Sequence, residues 1–239
     1  MRKPTLNDQG LKKVSPSALM NYYFPFDSDI DQNVLILAGA RGNVVHECIE
    51  EFVESGVIPF EERVAHHEQE LLKTGNAFSM KDYNTMKLQL SHFENYNYLL
   101  ELDLESAIVE HYVDDLNNTH GYVDYHDDKQ IIDWKTNSVL GKKEVEKYSI
   151  QMNLYRYMLY NTKYIDITDL KIVHLTKNEE MTPTMKLRKP EILLKIHQVE
   201  LIPFEILEGM IEEVYNHING IEKNAFANAL YETDQEYLN

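Results

Sequence analysis

One cysteine, Cys48, stands alone in 239 residues. It cannot form an intrachain disulfide, and a reducing intracellular setting, the cytoplasm of a cell or of a host cell, is the simplest expectation. No run of about 18 apolar residues occurs, so no membrane span is expected. The opening Met1-Arg2-Lys3-Pro4 lacks the apolar stretch of a signal peptide. Internal repeats, low-complexity blocks and the Gly-x-x-x-x-Gly-Lys-Ser/Thr phosphate loop are missing too, which leaves no ATP-driven motor in the chain. Positive charge is also scarce: 23 Lys and Arg face 40 Asp and Glu, for a net charge of −17. Such a chain repels polyanions at long range. It is therefore no non-specific, high-affinity DNA coat protein, whose affinity rests on many Lys and Arg contacts to phosphate. An enzyme that needs only a local channel is still allowed, and a bound Mg²⁺ offsets negative charge at a carboxylate site.

What is present suffices for a folded core. Hydrophobic residues make up 43% and aromatics 10%, which suits one generous domain or a core domain with a helical addition. Residues 1–14 are polar and expected to be a flexible N-terminus. Ser15-Pro16-Ser17 before Ala18-Leu19-Met20 reads as a capped helix start ended by Phe24-Pro25. An acidic loop, Asp27 to Asn33, follows. Val44, Val45, Cys48, Ile49, Phe52 and Val53 predict a helix over 40–54, and further helical patterns cover 60–73 and 81–103. The pattern then becomes strand-like at 107–113, 121–125 and 130–134, with turn signals at Asn117-Asn118 and at 126–129. An amphipathic helix is expected at about 144–161, strands at 170–175 and 197–202, and a helix over 204–228. The predicted class is α/β: a mixed sheet flanked by helices, with a helical N-terminal part at 15–104, a core at 105–228 and a tail at 229–239.

The chemistry concentrates around Gly121-Tyr122-Val123-Asp124 and Asp133-Trp134-Lys135. In a hairpin, Asp133 and Lys135 share one face while Trp134 points to the other, and the neighbouring strand can set Asp124 beside Asp133. Two converging carboxylates form a hard oxygen site suited to Mg²⁺ or Mn²⁺. The carbonyl of Ile132 is a candidate additional ligand. Such a metal polarises a phosphoryl oxygen and lowers the pKa of bound water, and an adjacent lysine can stabilise charge growing on phosphate. A lone Asp-x-Lys is usually only a surface salt bridge. Local basic density occurs at 129–147, where Lys142, Lys143 and Lys147 are candidate phosphate contacts, and again at 186–195.

Together with Gln151 and Tyr155, these segments resemble the RecB-like branch of the PD-(D/E)XK nuclease superfamily over about residues 15–176. His46 in Gly42-Asn43-Val44-Val45-His46 looks like the family's metal-binding helix histidine, Asp124 like its first acidic residue, and Asp133-Trp134-Lys135-Thr136 like the second with the catalytic lysine. Gln151 and Tyr155 look like the Gln-x-x-x-Tyr motif that supports the site and contacts nucleic acid. The resemblance implies a restriction-endonuclease-like core and metal-dependent hydrolysis of phosphodiester bonds in DNA. A helical arch in the first hundred residues would favour an exonuclease acting on single strands or DNA ends. Repair and recombination are the expected settings, with a helicase or recombination partner. Many relatives carry an iron–sulfur cluster on four cysteines; with Cys48 alone, no such cluster is expected here.

Bland alternatives exist for single residues. His46 among apolar neighbours also reads as a core histidine, Gln151 and Tyr155 as a core or interface pair, and Glu110 equally as a further acidic contributor or a solvated side chain. Two rivals stand beside the nuclease: an acidic binding module of the same fold, non-catalytic or dependent on a partner, and a structure-specific endonuclease within a larger complex. Asp27 to Asn33 imitates a calcium loop but has Gln32 where glycine is needed and Ala38 where a bidentate Glu is needed. His46-Glu47-Cys48-Ile49-Glu50 lacks the second histidine of a zinc-protease helix.

Overall fold

The computed structural model describes residues 5–25, 30–115, 118–137, 139–176 and 194–221. Four helices lead: α1 (Pro16–Tyr23), α2 (Gln32–Ser55), α3 (Phe60–Leu72) and α4 (Met80–Tyr96), the last followed by a 3₁₀ turn at Asn97–Leu100. Strands β1 (Ile108–Asp114), β2 (His120–His126) and β3 (Gln130–Lys135) come next, then α5 (Lys142–Lys163), β4 (Asp169–Leu175), β5 (Leu194–Gln198) and α6 (Phe204–Asn219). The five strands form one sheet in chain order, antiparallel except for the parallel β3–β4 pair. The parallel step needs a crossover, and α5 supplies it. Among the described residues no helix is long and apolar enough to cross a membrane.

Two buried layers sandwich the sheet. On one face α1, α5 and α6 pack around Val123, Ile131, Met158, Leu170 and Ile172. On the other, α2, α3 and α4 pack around Tyr125, Ile132, Trp134, Val173 and Leu175. The N-terminal helices thus share a core with the sheet. Ser15 caps α1 by accepting from the Ala18 N–H, as its sequence predicts. The segment expected to fray is anchored over its described part: Val14 is fully buried and bridges to Thr119, while Asn7 donates to the Tyr215 hydroxyl.

Three elements depart from expectation. Asp31, in the expected acidic loop, instead caps α2, which begins about eight residues early. That added stretch leaves Val34 and Leu35 exposed, so it carries no core-facing periodicity. The last strand lies at Leu194–Gln198, where Leu194 pairs with Leu175 and is buried, whereas Leu201 is 42% exposed. Helix α6 ends at Asn219, short of the expected 228, where Gly220 caps it with a left-handed φ of 65°; residues 222–228, the tail at 229–239, Asn117 and the basic residues Lys186, Arg188 and Lys189 lie outside the described residues.

The decisive local feature is a change of face in β1 and β2. Val123 packs with α5, yet Tyr125, two residues on, packs with α2 and α4. A regular strand would keep both on one side. The break falls at Asp124 and, opposite it, at Glu110, whose φ of 43° is left-handed. The flanking pairs Val109↔Tyr125 and His111↔Val123 stay in register. A non-glycine residue held there stores about 1–3 kcal/mol of strain, a feature common at functional sites.

Candidate active site

Asp124 emerges where the strand turns over, and β2 and β3 separate at the same point. Only Tyr125↔Ile132 and His126↔Ile131 pair between them. Beyond that, the Asp124 carboxylate takes the place of the ladder and accepts from the Trp134 N–H at 3.1 Å. Gly121, at the head of this motif, is required by packing: a β-carbon there would sit 3.0 Å from Pro16 and 3.2 Å from Met158. On β3, Asp133 and Lys135 share a face, with Lys135 Nζ 2.6 Å from Asp133 Oδ2, while Trp134 turns away against Phe93. Helix α5 lies over this face. Gln151 Nε2 donates to Asp133 Oδ1 at 3.1 Å and to the Tyr155 hydroxyl at 2.6 Å, and Gln151 Oε1 is buried without a protein donor. The aromatic face of Tyr148 lies 4.2 Å from Lys135 Nζ, so this ammonium sits between a carboxylate and a ring.

The opposite wall is α2. His46 Nδ1 lies 3.6 Å from Asp124 Oδ2, and its ring also hydrogen-bonds the Trp134 backbone. One turn on, Glu50 hydrogen-bonds Glu110, a carboxyl–carboxyl contact that requires a proton on one partner. Sequence reading passed over Glu50. Its signal was its position four residues after His46, on the same helix face.

The structure therefore brings His46, Asp124, Asp133, Lys135, Gln151 and Tyr155 together, sets Glu110 beside Asp124 and Glu50 as the acidic contributor of its two readings, and adds Glu50, Tyr148 and the Trp134 backbone. Ile132 sits in the ladder between Tyr125 and Lys171 with its side chain in the core; the backbone that meets the carboxylates is that of Trp134. Lys142 is exposed and lies 3.8 Å from Glu146, Lys143 is exposed, and Lys147 is half-buried.

Negative charge is in excess here. Burial pushes Asp124 up to about 6 against the opposing pull of Lys135 and the Trp134 N–H. Burial likewise lifts Asp133 to about 6, with Lys135 opposing and Asp124 adding to the rise. Glu50 rises to about 8 through burial and the nearby Glu110 and Asp124. Burial drives His46 down to about 4, helped by Lys135, so its ring is neutral and able to ligate. Burial alone would lower Lys135, but Asp133 and Asp124 outweigh it and hold the ammonium charged. Lys147 is lowered by burial, with Lys135 and Lys143 repelling it.

A divalent cation suits this donor set: hard oxygens and a neutral imidazole, desolvated, with too little positive charge to balance them. Among the described residues, however, no three His, Cys, Asp or Glu side chains are already aimed at one point. Asp133 is tied to Lys135 and Gln151, and Asp124 to Trp134. Taking up a cation requires these side chains to re-aim.

A family model described as the PD-(D/E)XK nuclease superfamily matches residues 26–232. No curated protein matches the chain. Among solved structures, the chain is similar to a phage-related exonuclease from Haemophilus somnus 129PT at 16% identity and a TM-score of 0.42, covering 90% of this chain and 95% of that one. It is also similar to a protein designated SSO0001 at 12% identity and a TM-score of 0.32, covering 76% and 84% respectively.

Proposed function

The chain belongs to the PD-(D/E)XK nuclease superfamily, and on that premise we propose that it is a Mg²⁺- or Mn²⁺-dependent deoxyribonuclease of the RecB-like branch, an exonuclease acting on single-stranded DNA or DNA ends. One observation carries the reading: the buried Asp124 and Asp133 converge beside Lys135 at a deliberate break in the sheet. Asp124, Asp133 and His46 hold the cation, and the carbonyl of Trp134, which His46 meets, is a better-placed backbone ligand than that of Ile132. Such an ion supplies charge neutralisation at the scissile phosphate and lowers the pKa of the attacking water.

The protein's own groups do the rest. Lys135 points an N–H at the oxygen where charge develops and orients the water. Asp133 and Tyr148 hold that ammonium from two sides, Gln151 fixes the Asp133 carboxylate, and Tyr155 fixes Gln151. Lys143 and Lys147, with Lys142 at the margin, meet the phosphates. The acidic binding module keeps one supporting observation, the net charge of −17.

Cleavage of 5′- and 3′-labelled linear single-stranded DNA with Mg²⁺, Mn²⁺ or EDTA separates these readings. The nuclease predicts metal-dependent cutting that is lost in Lys135→Ala, with the label pattern giving the polarity. A folded protein that cuts under no metal would move the assignment to the binding module.

A further inference from the structure

Beside the site lies a groove of about 270 Å³ that the hydrolytic residues do not use. Phe24, Pro25 and Ile30 form one wall, and Lys143, Lys147 and Tyr148 of α5 the other. Glu144 also lines it, but its carboxylate accepts from the Gly141 N–H and so serves the start of α5. Tyr148 is the link between groove and site, because the same ring lies 4.2 Å from Lys135 Nζ. Two aromatic side chains and two ammonium groups thus share one small cleft in a chain of net charge −17.

Taking the nuclease reading as its basis, we propose that this groove seats one unpaired nucleotide of the substrate strand next to the scissile phosphate. Its base stacks on Phe24 and Tyr148, and its phosphate meets Lys143 and Lys147. Stacking tolerates any base because every base has a π-face, and paired lysines track the backbone without reading sequence. A base paired in a duplex has its faces already stacked, so a cleft that binds through the rings of Phe24 and Tyr148 favours single strands or frayed ends. Concentrating the cations here also explains how an acidic protein holds a polyanion: the attraction is local and the remaining surface repels.

The test uses Lys135→Ala protein with Mg²⁺ and single-stranded oligonucleotides carrying 2-aminopurine at successive positions, whose fluorescence falls on stacking. Quenching is expected at one position. Phe24→Ala should abolish it and weaken binding about 5- to 150-fold, while Phe24→Tyr should restore both and so exclude a folding defect. Removing Lys143 or Lys147 should lower the salt dependence of binding by about 0.7 each. Quenching unchanged in Phe24→Ala, or absent at every position, would overturn the proposal. If the wild type cuts DNA but shows no Phe24-dependent quenching, the groove fails and the nuclease stands. If it cuts nothing yet the quenching depends on Phe24, the groove stands and the nuclease fails.

Discussion

Two ion pairs in this molecule, one half-exposed and one buried, carry opposite lessons. Arg156 meets Asp166 through two parallel hydrogen bonds of 2.7 and 3.0 Å, reaches the Ile202 carbonyl at 3.3 Å and lies over the ring of Phe204. Charges balance, donors are satisfied, and Arg156 ties α5 through Asp166 to the segment before β4 and through Ile202 to the segment before α6. Lys135 and Asp133 are as close, yet their contact lacks hydrogen-bond geometry at Asp133 Oδ2, and Asp124 crowds the same ammonium. The first arrangement is complete in itself. The second is short of positive charge, and such a deficit costs stability unless something else supplies the cation.

The widest separation between the pairs comes from removing each cation. Lys135→Ala should lower the hydrolysis rate by at least about 10²- to 10³-fold while leaving DNA binding and the circular dichroism spectrum in place; retained activity would sink the assigned role. Arg156→Ala should do the reverse. We expect a loss of about 2 kcal/mol in urea unfolding, moderated by the exposure of Asp166, with the specific activity of the folded enzyme unchanged.

Asp124→Asn sharpens the contrast further. The native carboxyl has its pKa raised to about 6, so ionisation costs stability that is absent below the unfolded value near 4, grows as pH rises from there, and is complete above about 6. An amide can still accept from the Trp134 N–H. The variant should therefore lose activity yet gain about 1–2 kcal/mol without metal at pH 7.5, and a thermal melt that moves down would contradict the excess of charge. The smallest effect is in pH. Protons compete with metal for Asp124 and Asp133, so Mn²⁺ affinity should be level above about 7 and fall as pH drops through about 6. Affinity that is flat between pH 5 and 8 would argue against these ligands.

Much of the site was legible because its residues sit on elements with clear periods. Asp133 and Lys135 share a strand face by alternation, and Gln151 and Tyr155 share a helix face by their spacing. Asp124 was legible through Gly121, whose missing side chain lets β2 press against Pro16 and Met158. Glu50 was not, since an acidic residue on a helix looks solvated until a sheet covers it. The reversal of faces at Glu110 and Asp124 was equally hidden: left-handed backbone at a glutamate is imposed by packing, and no local propensity announces it. The early start of α2 and the true position of β5 escaped for a related reason. Exposed Val34 and Leu35 blur the helical pattern, and β5 is defined by its pairing with β4.

Isothermal titration of Mn²⁺ into the wild-type protein and Asp133→Ala at pH 7.5 tests most directly whether the unbalanced cluster is a cation site. Binding in the wild type that disappears in the variant is the predicted result. Equal affinity in both proteins, or none in either, would contradict it.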